Sequence, residues 1–167
     1  MWSTWKCQIL AFLCIGSVLS QSDSNLDDDD LWSKVANSYT ELSSNDYYYA
    51  HDVAMTWEEA VEYCAAEGSH LFILNSQQEA DVVVAFMPDV SPDYFWSGFS
   101  DLAQEGTFVT LNNQTVQEAG YVNWANGEPS GYYETQEENC GAVESTGEMY
   151  DRICSAECYF ICEHVTK

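Results

Sequence analysis

Apolar positions in the first half of the chain recur at helical spacing, and after Pro92 they gather into short aromatic runs. Ala60, Val61, Cys64 and Ala65 share one side of a helix that opens at Thr56-Trp57-Glu58-Glu59 and stops at Gly68. Thr56 and Glu59 form a capping box, in which hydroxyl and carboxylate each satisfy a free backbone N–H of the first turn. Leu71-Phe72-Ile73-Leu74 then reads as a short buried strand. Ser76-Gln77-Gln78-Glu79 is a second capping box, opening a helix through Ala80, Val83, Val84 and Met87 that must end near Pro88.

Tyr94-Phe95-Trp96, Phe108-Val109-Thr110-Leu111 and Tyr121-Val122-Asn123-Trp124 are aromatic and β-branched runs divided by Gly and Asn, the texture of strands and loops. Residues 125–139 are rich in Gly, Glu and Tyr and lack periodicity. A loop of that length within a compact domain is functional or disordered. A terminal strand follows in Tyr159-Phe160-Ile161-Cys162. Helices first and strands later predict an α+β domain with antiparallel pairing, folded from residue 39 to residue 167.

The N-terminus reads as a secretory signal peptide over residues 1–20, with an apolar core at 7–19 and a small-residue exit at Val18-Leu19-Ser20. That core is too short to cross a bilayer, which needs about 20 apolar residues, so the expectation is export and not a membrane protein. Residues 21–38, with Asp27-Asp28-Asp29-Asp30, read as an acidic, loosely attached or disordered arm.

Four basic residues stand against 28 acidic ones, a formal charge of −24, and only Lys6 leaves with the signal. Such a chain repels nucleic acid and anionic membranes and attracts cations. Of seven cysteines, Cys7 and Cys14 leave with the signal. The five that remain, Cys64, Cys140, Cys154, Cys158 and Cys162, are an odd number, so one stays unpaired or joins another chain. Spacing alone leaves the connectivity open.

Glu128, Ser130, Glu138 and Asp151 place three carboxylates and a hydroxyl at irregular intervals on or beside the long loop. Hard oxygen donors so arranged suit calcium, which takes six to eight of them in flexible geometry, and suit zinc poorly.

The order of these features resembles the C-type lectin domain over residues 45–165. The agreeing positions include Thr56-Trp57-Glu58-Glu59-Ala60, Gly68-Ser69-His70-Leu71, Phe95-Trp96-Ser97-Gly98-Phe99, Glu105-Gly106, Asn123-Trp124, Gly127-Glu128-Pro129-Ser130 and Phe160-Ile161-Cys162-Glu163. The resemblance implies a secreted, single-domain, short-form member with disulfides Cys64–Cys162 and Cys140–Cys154, and it leaves Cys158 without a partner. An exposed Cys158 in an oxidising compartment would link two chains as a covalent homodimer. By the same resemblance a cis bond before Pro129 aims the flanking side chains at one calcium, held by Glu128, Ser130, Glu138 and Asp151. That ion then takes two vicinal hydroxyls of a carbohydrate ligand. Asp101, Glu105 and Asn139 match an auxiliary calcium position, with Gly131 in the place of a further acid.

Two positions depart from the family pattern. Ser130 stands where an amide or acid is usual, and Met149-Tyr150-Asp151 replaces Trp-Asn-Asp. The expected affinity is therefore that of weak extracellular sites, about 10⁻⁴–10⁻³ M. Glu128 with Ser130 matches neither the mannose-type nor the galactose-type motif. Tyr132 and Tyr133 offer aromatic faces to sugar C–H groups or to loop packing. The alternative reading is a lectin-like interaction protein that binds a protein or mineral surface without sugar, its calcium site degraded. An enzyme is not expected: His51, His70 and His164 lie on separate segments without a nucleophile motif. Asn113-Gln114-Thr115 is the one glycosylation sequon.

Overall fold

A computed structural model of the protein describes residues 28–43, 45–89 and 94–166; the expected signal peptide and residues 21–27 of the arm lie outside them. In chain order the elements are α1 (Asp28–Val35), a 3-10 turn (Ala36–Ser38), β1 (Thr40–Ser43), β2 (Asp46–Met55), α2 (Trp57–Ala66), β3 (His70–Leu71) and α3 (Gln77–Phe86). They continue as β4 (Tyr94–Ser100), β5 (Val109–Thr110), α4 (Val116–Ala119), β6 (Tyr132–Tyr133), β7 (Gln136–Glu137), β8 (Cys140–Glu144), β9 (Met149–Arg152) and β10 (Cys158–Val165).

Both expected helices form. Thr56 Oγ1 accepts the Glu59 N–H at 3.4 Å while the Glu59 carboxylate accepts the Thr56 N–H at 3.0 Å, so the α2 capping box is complete. The α3 start is only half a box. Ser76 Oγ accepts the Glu79 N–H at 3.1 Å, but the Glu79 carboxylate takes the Asn75 N–H, one residue earlier, at 2.6 Å.

The strand path β1-β2-β10-β4-β8-β9 is the spine, with β3 added to β10 and β5 to β4. The strand pairs are antiparallel, as expected, except that β10 runs parallel to β4. The reason is topological: β2 and β4 point in opposite directions, so a terminal strand inserted between them must run parallel to one. Side chains alternate across this sheet. Phe95, Val143 and Ile161 pack with Ala80 and Val83 of α3, whereas Trp96, Ala142 and Phe160 pack with Ala60 and Cys64 of α2. Each fully buried Phe contributes about 1.5–3 kcal/mol.

Other expectations change in detail. The strand expected over residues 71–74 shortens to β3, although Phe72 still donates its N–H to Ile161 O at 3.1 Å and accepts that of Gly98 at 2.9 Å. A Cβ at Gly98 would lie 2.7 Å from Leu71 O, so only glycine permits that approach. Residues 121–124 form no strand and meet β9 at a single bridge, Trp124 to Met149. Tyr121 is anchored instead by its hydroxyl, which donates to Gly147 O at 2.6 Å.

Residues 28–38 correct the expectation of a loose arm, because they are helical and tied to the domain. Trp32 stacks on His164 of β10 with ring centroids 3.7 Å apart and meets Tyr39 edge-on at 4.8 Å. Aromatic burial of this kind offsets the ordering entropy that the acidic composition alone would not.

The disulfides are Cys64–Cys162 and Cys140–Cys154, as the resemblance implies. The first spans 98 residues and removes about 4–5 kcal/mol of unfolded-chain entropy. Cys158 is free, but it is only 1% exposed, which corrects the expectation of a thiol available to a second chain. The cause is its register: it opens β10 opposite Met55, inside the α2 face of the core. Among the described residues no helix is long and apolar enough to cross a membrane.

Candidate functional site

The loop between α4 and β8 leaves the core at Ala125, whose N–H donates to Met149 O at 3.0 Å, and returns at Cys140, tethered to Cys154. The Glu128–Pro129 peptide is cis, as expected. Asp151 enters from β9, opposite Gly141 of β8. A Cβ on Gly141 would fall 2.1 Å from the Phe99 ring, so the glycine lets that ring pack against β8 at the position paired with Asp151.

Ser130 is the point where the expected ligand residues meet. Its N–H is shared between Glu128 Oε2 at 3.1 Å and Asp151 Oδ1 at 2.9 Å, and its hydroxyl donates to Glu138 Oε2 at 2.7 Å. Asp151 Oδ2 also accepts the Gly131 N–H at 2.6 Å. Glu138 and Asp151 are buried, whereas Glu128 is half-buried. The structure therefore brings Glu128, Ser130, Glu138 and Asp151 together.

Crowded carboxylates disfavour one another's charge. Burial first, then a hydrogen bond to Asp151 and the charges of Asp151 and Glu138, push the Glu128 carboxyl up to about 7. The neighbouring trio is also assembled. Asp101 Oδ2 accepts the Gly106 N–H at 2.7 Å, and the Asn139 amide nitrogen, turned toward the acids, lies 3.2 Å from Asp101 Oδ1 and 3.3 Å from Glu105 Oε2. Burial and the charges of Asp151 and Glu137 raise Asp101, and Glu105 is raised by desolvation and by Asp101, Glu137 and Asp151.

No described ion pair brings Lys or Arg to these acids. Arg152, the next residue on β9, has its guanidinium carbon 4.0 Å above the Tyr94 ring. Tyr150 sits with it: its ring meets Tyr94 edge-on at 5.1 Å and its hydroxyl donates to Glu144 Oε2 at 3.2 Å. Strand alternation thus turns Tyr150 away from Asp151, and it supplies no side-chain oxygen to the loop. A set of oxygen donors with excess negative charge fits a hard divalent cation, and calcium above all.

The histidines lie elsewhere. His51 Nε2 is 3.4 Å from Glu67 Oε2 and the same distance from Cys162 Sγ, a group with metal-like spacing. Its sulfur is already spent in a disulfide, so no thiolate is there to bind. His70 bonds Leu71 O at 2.9 Å and His164 bonds Gly68 O at 2.7 Å. Among the described residues, no hydrogen bond joins any of the three to a hydroxyl or a free thiol. Tyr132 and Tyr133 stand exposed on the β6–β7 hairpin.

A second acidic cluster escaped the sequence reading. Tyr48, on β2, donates its hydroxyl to Glu79 Oε1 at 2.7 Å and lies 3.3 Å from Glu163 Oε1, while Glu163 Oε2 accepts the Ile73 N–H at 2.9 Å. Burial is the main cause that pushes the Glu163 carboxyl up to about 8. The available signal was an acid directly after Cys162 in an apolar strand, where an unpaired charge is costly.

The lectin C-type domain profile matches residues 53–164. The hemolymph lipopolysaccharide-binding protein of Periplaneta americana is 31% identical over 125 residues, covering 70% of this chain and 48% of that protein. Asialoglycoprotein receptor 2 of Mus musculus is 30% identical over 129 residues, covering 75% of this chain and 40% of the receptor. The chain thus spans about half or less of the length of these curated relatives. The carbohydrate-recognition domain of the mouse scavenger receptor C-type lectin superposes with a TM-score of 0.69 at 25% identity, over 77% of this chain and 96% of that domain. Because that domain profile covers well over half of the sequence, the chain belongs to the C-type lectin domain family.

Proposed function

We propose that this is a secreted, calcium-dependent carbohydrate-binding protein in which Glu128, Ser130, Glu138 and Asp151 hold the metal and, through it, the sugar. The observation that carries the reading is the convergence of three carboxylates on Ser130 without a described cation among them. When bound, calcium offers open coordination positions to two vicinal hydroxyls of a sugar ring. The chain's own part is to hold the oxygens: the cis bond sets Glu128 and Ser130 side by side, and Asp151 pins both Ser130 and Gly131 by their N–H groups. Asp101, Glu105 and Asn139 provide a weaker auxiliary position, since Asp101 already spends one oxygen on Gly106. The curated relatives are binding proteins and receptors, which agrees with a non-enzymatic role. Residues 1–20 act as the export signal, Asn113 stands in an exposed turn that can carry a glycan, and the lectin domain occupies residues 39–167.

A second reading has its own support. Ser130 is short of an amide and Tyr150 faces Glu144, so the donor set is smaller than the family pattern and suits a lectin-like protein that binds a protein or mineral surface without sugar. Calorimetric titration of the secreted protein with calcium separates the two. Saturable binding with a Kd near 10⁻⁴–10⁻³ M, lost in Glu128→Gln, supports the first reading; no heat supports the second.

A further inference from the structure

Of the eleven tyrosines, Tyr132 and Tyr133 are the most exposed, at 56% and 61%. Every other phenol is less accessible: Tyr48, near Asp46 and Asp52, is 1% exposed, and Tyr63 at 38% lies on α2 beside a disulfide-bonded Cys64. The pair occupies β6, which bonds only to β7, a two-stranded sheet separate from the main one. A ribbon of two residues per strand is marginal on its own, so residues 132–137, all exposed and lying between the anchored Gly131 and Glu138, can be drawn out at small free-energy cost without opening the core.

The chemical context of the two phenols is one-sided. Glu128 precedes them, Glu134 follows Tyr133 directly, and Glu137 and Glu138 come next. No Lys or Arg occurs between Lys34 and Arg152. Pro129 and Gly131 keep the approach irregular, and the nearest cysteine is Cys140. An enzyme that handles an anionic sulfate donor has a cationic cleft, and an exposed acidic ribbon complements it. Both disulfides of the fold mark the oxidising secretory route, where tyrosine sulfotransferases act.

We propose that Tyr132 and Tyr133 are sulfated during export. The donor is a phosphosulfate mixed anhydride of adenosine bisphosphate. The phenol oxygen attacks sulfur, an O–S bond forms, the phosphosulfate S–O bond breaks, and the nucleotide leaves as the bisphosphate. The phenol proton passes to a base of the transferase, and nothing is oxidised or reduced. Each ester adds one fixed negative charge at the rim of the Glu128–Asp151 cluster, which favours ligands with cationic groups and disfavours anionic glycans. The inference is independent of calcium: it rests on exposure, charge and the secretory route alone.

The test is mass spectrometry of the full chain expressed and secreted by animal cells. The expected peptide carries one or two SO3 groups that alkaline phosphatase leaves in place, that mild acid removes, and that growth in chlorate prevents. Tyr132→Phe and Tyr133→Phe each remove one site, and the double variant removes all sulfate while the protein is still secreted at the parent's level. A secreted chain whose 131–138 segment is unmodified, one whose added mass yields to phosphatase, or a chain that is not exported overturns the proposal.

Discussion

Asp151 Oδ1 accepts the Ser130 N–H at 2.9 Å, so a strand residue of the main sheet fixes the residue that follows a cis proline in the loop. With Gly131 N–H on its other oxygen, Asp151 serves two backbone donors and stays 2% exposed. Asp151→Ala leaves the Gly131 N–H without its acceptor and the Ser130 N–H with Glu128 alone. The expected loss is about 1.5–3 kcal/mol of stability even in chelator, because hydrogen bonds to a charged acceptor are being removed. Urea unfolding of both proteins in chelator checks this; equal midpoints would mean the loop is held by something else.

On the proposed reading, Ser130 is the donor that limits calcium affinity. Ser130→Asn supplies a longer amide oxygen and is expected to tighten calcium binding, whereas Ser130→Ala removes the hydroxyl that meets Glu138 and weakens it. Calorimetry of the three proteins orders them Asn, Ser, Ala. An Asn variant no tighter than the parent would show that the side chain at this position does not reach the ion.

The metal-free protein should lose stability as pH rises from 6.5 to 8. Glu163 is raised above its ordinary 4.5 to about 8, so the folded state holds a proton that the unfolded chain has released, and folding is favoured below that window. Glu128, raised to about 7, adds to the same slope. His51 and His70 are both lowered, chiefly by burial, so the unfolded chain still binds protons there just above the ordinary 6.5; they oppose the trend over the first part of the window and drop out above it. Melting temperatures across pH 6.5–8 in chelator should fall, and fall less in Glu163→Gln. A rising curve would contradict the assignment.

Cys158 should behave as a core residue. Burial raises its thiol, although Arg152 acts the other way. A thiol reagent should label one cysteine in urea and none in the native protein, and non-reducing electrophoresis should show monomer alone. Native labelling at the unfolded rate would mean that β10 opens at its start.

Much of the fold was legible because local and global signals agree. The Thr56–Glu59 box, the Pro88 stop and the aromatic alternation of Phe95 and Trp96 each point to the observed element. The ten-residue β2 was missed, since Tyr47-Tyr48-Tyr49 gives no polar–apolar period and its pairing with β10 joins residues far apart in sequence. Helix α4 was missed despite the Thr115–Glu118 box because only four residues follow its cap. Trp32 ties the arm to the domain, and its partner His164 lies at the other end of the chain. In the site, Glu128, Ser130, Glu138 and Asp151 were readable from oxygen chemistry and family order, but the direction of Tyr150 required the β9 register. The Tyr48–Glu79–Glu163 cluster joins three elements and left no local pattern.

The central claim is recognition of sugar through a loop-bound calcium, and retention on immobilised sugar tests it most directly. The secreted protein should stay on mannose- or galactose-agarose in about 10 mM calcium, above the weak-site range, and elute in chelator. Glu128→Gln, folded by the same melting criterion, should pass through. Passage of the parent through both columns in calcium, or retention that chelator leaves unchanged, would contradict the account.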